Sequence, residues 1–131
     1  MSRFDLGEAV PPAVRALPTL YLLGVGGPED PEGIGRVETF AWRFAVVEGG
    51  AGALTALAFT AMPRLMALTR AVNGRRPFTL PTEALRVDPS GIGPTPGVGL
   101  FVDPSPEEVE ALLAGGRLAE RRLPSLEGAG S

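Results

Sequence analysis

Residues 36–60, RVETFAWRFAVVEGGAGALTALAFT, decide the fold. Phe40, Trp42, Phe44 and Val46 alternate onto one face, with Glu38 in the same register. Thr39, Ala41, Arg43 and Ala45 fall on the other, which is the period-two pattern of a half-buried strand. The glycines of GGAG (49–52) tolerate the positive φ that tight hairpin turns need. ALTALAFT (53–60) then returns as the antiparallel partner.

Outward from this hairpin, AMPRLMALTRAVNGRR (61–76) changes to helical periodicity. Met62, Leu65, Met66, Thr69 and Val72 make one stripe, widened by Leu68, and the methionines read as core. Thr60 is placed to cap the helix, and Pro63 is tolerated in its first turn. Asn73 or Gly74 supplies a left-handed end, leaving Arg75 and Arg76 near the carboxyl end of the helix dipole. PFTLP (77–81) reads as a short strand, TEALRV (82–87) as a capped helical turn and DPSGIGPTPG (88–97) as loop. VGLFVD (98–103) is strand-like. SPEEVEALLAGG (105–116) is a helix with Ser105 and Glu108 as a capping box and Pro106 at its first position. RLAERRLP (117–124) is a final strand or docked tail, and residues 125–131 fray. On the amino-terminal side, residues 1–16 read as a short helical arm broken at Pro11–Pro12. LPTLYLLGV (17–25) is an apolar strand and GGPEDPEGIG (26–35) a loop. The expected architecture is a single α/β domain, residues 1–131. Its mixed sheet combines the antiparallel hairpin with strand–helix–strand crossovers.

Composition narrows the chemistry. The 131 residues suffice for one core without covalent staples. Cysteine and histidine are absent and all 12 basic residues are arginine. Thiolate and imidazole chemistry, Schiff bases and a phosphate-loop lysine are therefore excluded. Glutamine is absent, Asn73 stands alone, and there are 14 prolines. This fits a thermophile's avoidance of labile side chains, although a GC-rich genome explains the arginine bias equally well. The net charge of −3 argues against nucleic acid as a partner. No apolar run reaches the roughly 20 residues of a membrane span, and no signal peptide opens the chain. A cytoplasmic protein is expected.

Charge is unevenly distributed. Arg64, Arg70, Arg75, Arg76 and Arg86 against Glu83 make residues 60–86 basic. Asp103, Glu107, Glu108, Glu110 and Glu120 against Arg117 make residues 100–120 acidic. Such patches are solvated faces, or attract each other within the fold or between copies. GVGGPE (24–29) and GIGPTPGVG (91–99) lack the strand–glycine loop–helix context of a dinucleotide site, so they read as turns. Glu107 and Glu110, with Asp103, are spaced for a hard cation, but acids in a first helical turn are expected on electrostatic grounds alone. EDPE (29–32) reads as a solvated loop. No cofactor and no metal is expected. Arg70, Arg75 and Arg76 can grip a phosphate or carboxylate, or simply neutralise the helix end.

Two stretches, LAFTAMPRLMAL (57–68) and GVGLFVDPSPEEVEALL (97–113), resemble the amino-terminal domain of the SseB-type, or enhanced serine sensitivity, proteins. Asp103 stands where that family tends to have Asn, and Ala61 where a small polar residue is common. The resemblance spans about residues 20–114 and implies an α/β domain with no established activity and no catalytic residues to transfer. The carboxy-terminal domain of the larger members would be absent. The functional expectation is a non-enzymatic protein-interaction domain that self-associates, with an interface at Phe40, Trp42 and Phe44. The alternative is a sensor of an anionic metabolite through Arg70, Arg75 and Arg76.

Overall fold

The computed structural model describes residues 2–28, 40–50, 52–74, 80, 83–123 and 126. Among the described residues, seven strands form one mixed sheet: β1 (Ser2–Asp5), β2 (Leu20–Pro28), β3 (Phe40–Gly49), β4 (Leu54–Phe59), β5 (Glu83–Val87), β6 (Val98–Val102) and β7 (Gly116–Arg121). The sheet is accompanied by α1 (Pro12–Arg15), α2 (Met62–Asn73) and α3 (Pro106–Ala114), with a 3-10 turn at Pro89–Gly91. The α/β architecture and mixed sheet are those the sequence implies.

The hairpin forms as expected. Val46 pairs with Ala56 and Glu48 with Leu54, and Gly49 donates its N–H to the Ala53 carbonyl at 2.9 Å. Gly52 adopts φ 79°, which a side chain would strain. The strand is more deeply buried than its alternation implies. Phe44, Ala45, Val46 and Val47 are all buried, because both faces of the sheet are covered. On one face α2 and α3 supply Leu65, Leu68, Val72, Val109 and Leu113 against Leu23, Leu57, Phe59 and Phe101. On the other, Leu6, Val10, Val14, Ile92, Leu123 and Leu126 cover Leu22, Phe44, Val46 and Leu100.

β4 pairs with three other strands. One edge pairs in parallel with β6, Leu54–Ala58 against Val98–Val102. Its other edge is shared end to end by β3 at residues 46–48 and β2 at residues 21–22. Past β4 these two strands turn toward each other and pair as an antiparallel ribbon, Gly24–Pro28 against Phe44–Phe40. Gly24 sits at the fork. A Cβ there would lie 2.6 Å from the Arg43 carbonyl oxygen and against the Leu85 side chain, so the position admits only glycine.

Several local readings are corrected by long-range pairing. Residues 2–5 are not helical; they form an edge strand antiparallel to β6, Arg3 opposite Phe101, and α1 starts at Pro12. Residues 83–87 form a strand rather than a helical turn. Leu85 and Val87 point inward with Arg86 outward, and five residues paired along β2 outweigh a helical nucleus that short. Gly26–Pro28 belong to β2 instead of a loop, while residues 29–39 lie outside the described residues, as do 77–79 and 81. In the expected frayed tail Leu126 is fully buried, its N–H bonded to the Leu123 carbonyl at 2.9 Å. Helix α2 has no left-handed end, since Gly74 has φ −76°. Asn73 closes it instead, donating its amide to the Leu80 carbonyl at 3.3 Å and accepting the Leu80 N–H.

Between β3 and β7 the opposed charges are placed across strands. Glu48 accepts from Arg117 at 2.8 Å and from Arg121, and Arg43 lies 3.6 Å from Glu120. The hydrogen bond from Arg117 and the charges of both arginines hold the Glu48 carboxyl below its ordinary value of 4.5, against a smaller opposing effect of burial. A lowered folded-state pKa stabilises the fold above the unfolded value and is lost as pH falls through the folded one. Glu48→Gln should therefore lower denaturation midpoints most at about pH 5 and above, the difference from the native chain shrinking as pH falls below about 4.5. Gly24→Ala should destabilise the fold by about 1–3 kcal/mol in urea melts, from overpacking at the fork.

Candidate functional site

The parallel pair places two equivalent turns side by side. β4 ends at Phe59, and Thr60 and Ala61 lead into α2; β6 ends at Val102, and Asp103–Ser105 lead into α3. Asp103 adopts φ 51°, a left-handed conformation that aspartate tolerates better than most residues. This turns its carboxylate back over the neighbouring strand end. Thr60 donates its N–H to Asp103 Oδ1 at 3.0 Å and its hydroxyl to Oδ2 at 2.8 Å. The Asp103 N–H donates to the Ala58 carbonyl at 2.8 Å, and the Arg64 guanidinium lies 3.7 Å from Oδ2.

Thr60 is thus not the cap of α2. Ala61 occupies that position without a side-chain bond, and the threonine hydroxyl is committed to Asp103. Helix α3 carries the expected capping box. Ser105 Oγ accepts the Glu108 N–H at 3.2 Å, and Glu108 Oε1 accepts the Ser105 N–H at 3.0 Å. A cavity of about 340 Å³ opens between the two helices, lined by Phe59, Arg64, Leu68, Asp103, Ser105 and Glu108. It lies at the carboxyl ends of parallel strands, where α/β sheets place ligands. Its two acids are both bonded to neighbouring parts of the chain, so they act as acceptors that position the turns. Among the described residues no three acidic side chains gather closely enough to hold a metal ion. At the opposite end of the same strands a wider cleft, about 730 Å³, is lined by Arg3, Asp5, Glu8, Thr55 and Gly99 among others.

The outward face of the helical layer is the more unusual surface. On α2, Leu65, Leu68, Thr69 and Val72 are buried, and Met62, Pro63, Arg64, Met66, Ala67 and Arg70 are exposed. Met62 and Met66 are 40% and 52% exposed, the large hydrophobic side chains most open to solvent among the described residues. The expected methionine core is corrected here: the inward arc is filled by the leucines and Val72, which turns both methionines outward. No acid and no lysine occurs in the helix, whereas solvent-facing helix surfaces usually carry both. On α3, Val109 and Leu113 point inward, and Glu107, Ala111 and Ala114 are exposed. No helix among the described residues is long and apolar enough to cross a membrane.

The residues singled out from sequence are only partly brought together. Arg70 is exposed in the last turn of α2, while Arg75 and Arg76 lie outside the described residues. Phe40 and Trp42 occupy the ribbon of β3, opposite Pro28 and Gly26, and their side chains lie outside what is described. Phe44 is 1% exposed in the core, so it has no surface to offer a partner. The basic and acidic patches do meet within the chain at Arg64 and Asp103. Sequence reading missed the Thr60–Asp103 bond, although a signal existed. FT-AMP and VD-PSP place a polar residue directly after a strand and a proline at the start of the next helix.

Comparison with protein-family models, with curated proteins and with solved structures finds no match to this chain.

Asp103→Ala would leave the Thr60 donors without their partner and put a β-carbon with no compensating bond in the left-handed region. The expected loss is about 1–3 kcal/mol in chemical denaturation. Asp103→Asn, which keeps an acceptor and tolerates that backbone, should lose less than half as much.

Proposed function

We propose that this chain is a non-catalytic protein-interaction domain that self-associates through the outward face of α2 and α3. The observation that carries the reading is the surface of α2. Its exposed positions hold two methionines, a proline and an alanine, flanked by Arg64 and Arg70. Methionine is flexible and polarisable, and adapts to an apposed surface at little cost in shape. Exposed apolar side chains grouped on one helix face favour association. Composition supports the non-catalytic half of the reading. Without imidazole, thiol or amine side chains, the groups that most often abstract protons or attack carbonyl carbon are missing.

Sedimentation velocity of the full chain at tens of micromolar tests the proposal. The native protein should sediment as a dimer. Met62→Glu/Met66→Glu should raise the dissociation constant by about tenfold or more, with an unchanged circular dichroism spectrum. A native protein that remains monomeric across that range contradicts the proposal.

A further inference from the structure

Charge is divided between the two outward helices in a way that selects how copies would meet. α2 contributes Arg64 and Arg70 and no acid; α3 contributes Glu107, Glu108 and Glu110 and no basic residue. Both helices begin at the carboxyl ends of neighbouring parallel strands, so their amino ends are level and both run back over one face of the sheet. Two orientations of a twofold axis lying in that face bring the helical layers together. An axis across the helices lays α2 on α2 and α3 on α3, opposing arginine to arginine and acid to acid. Like charges held together at an interface are costly. An axis along the groove between the helices lays each α2 on the partner's α3, and both contacts then join opposite charges.

Position along the helices agrees with the second arrangement. Arg64 is the third residue of α2 and Glu108 the third of α3, so Arg64 comes level with the partner's Glu107 and the partner's Glu108. Arg70 falls about one turn from the partner's Glu110, within reach of its long side chain. Small residues stand among the exposed positions of both helices: Pro63 and Ala67 on α2, Ala111 and Ala114 on α3. Interaxial distance depends on the side chains at the contact, and small ones let the axes approach.

We propose that two copies of this chain form an isologous dimer about an axis along the α2–α3 groove, with α2 of each copy seated on α3 of the other. This rests on the self-association reading above and goes beyond it in fixing the arrangement. Two variants with inverted charge test it: Arg64→Glu/Arg70→Glu, which makes both helices acidic, and Glu107→Arg/Glu110→Arg, which makes both basic. Glu108 is left in place for the capping box. Each variant alone should dimerise at least about tenfold more weakly than the native chain, and an equimolar mixture should restore dimer, read by sedimentation and by native mass spectrometry. The arrangement is overturned if the mixture associates no better than its components, or if either variant alone dimerises like the native chain. A native chain that never dimerises overturns the self-association reading itself. Should circular dichroism show a variant unfolded, the salt dependence of the native dimer decides. Dissociation should rise at least about threefold between about 50 mM and about 500 mM NaCl, as screened opposite charges require. A dimer unchanged or tightened by salt overturns the arrangement.

Discussion

A single carboxylate, Asp103, holds together the two turns from which the helical layer departs. β4 and β6 are parallel, so no short hairpin can join them, and their alignment relies on what happens at their ends. There Asp103 turns into the left-handed region and takes both the amide and the hydroxyl of Thr60. Charge-assisted hydrogen bonds of this kind are about twice as strong as neutral ones. The bonds level the starts of α2 and α3, and the leucines and valines of both helices then share one core with Leu57, Phe59 and Phe101. Burying each such side chain contributes about 1.5–3 kcal/mol, so packing supplies the bulk of the stability while Asp103 fixes where the packing happens.

Legibility in the sequence follows the range of the interaction responsible. The hairpin of β3 and β4 was readable because alternation and a glycine turn are local. The capping box of α3 was readable for the same reason, with Ser105, Pro106 and Glu108 adjacent. Residues 2–5 and 83–87 were misread, since their strand character comes from β6 and β2, nearly a hundred and some sixty residues away in the chain. Gly24 looked like part of a turn, and its reason is a close approach by Arg43 and Leu85 that only the fork creates. The candidate site divides similarly. Arg70 and the two methionines could be placed on α2 from periodicity, yet which arc of the helix faces in depends on where the sheet lies. Leu65 and Val72 proved to be near the centre of the buried arc, with Leu68 and Thr69 at its edges, so Met62 and Met66 fall outside it.

The helical layer joins the two unusual properties of this chain. A composition without cysteine, histidine or lysine underlies the proposed reading, in which shape, apolar area and fixed charge are the means of action. Those means are concentrated on one face, where an apolar, basic helix lies beside an acidic one. Within the chain the same polarity is expressed at Arg64 and Asp103, an ion pair exposed enough to contribute little on its own. The sheet's other face is closed by the amino-terminal segment and by Leu123 and Leu126, which leaves the helices as the side with apolar groups still open to solvent.

Amide hydrogen exchange at Thr60, followed by nuclear magnetic resonance, tests the central role of Asp103 most directly. Thr60 lies in a turn between strand and helix, and an amide there without a partner would exchange as fast as those of exposed loops. Held by the Asp103 carboxylate, it should instead exchange at the slow rate of the β4 amides around Leu57, opening only when the parallel pair does. Exchange of Thr60 at a loop-like rate while β4 stays protected would contradict the account.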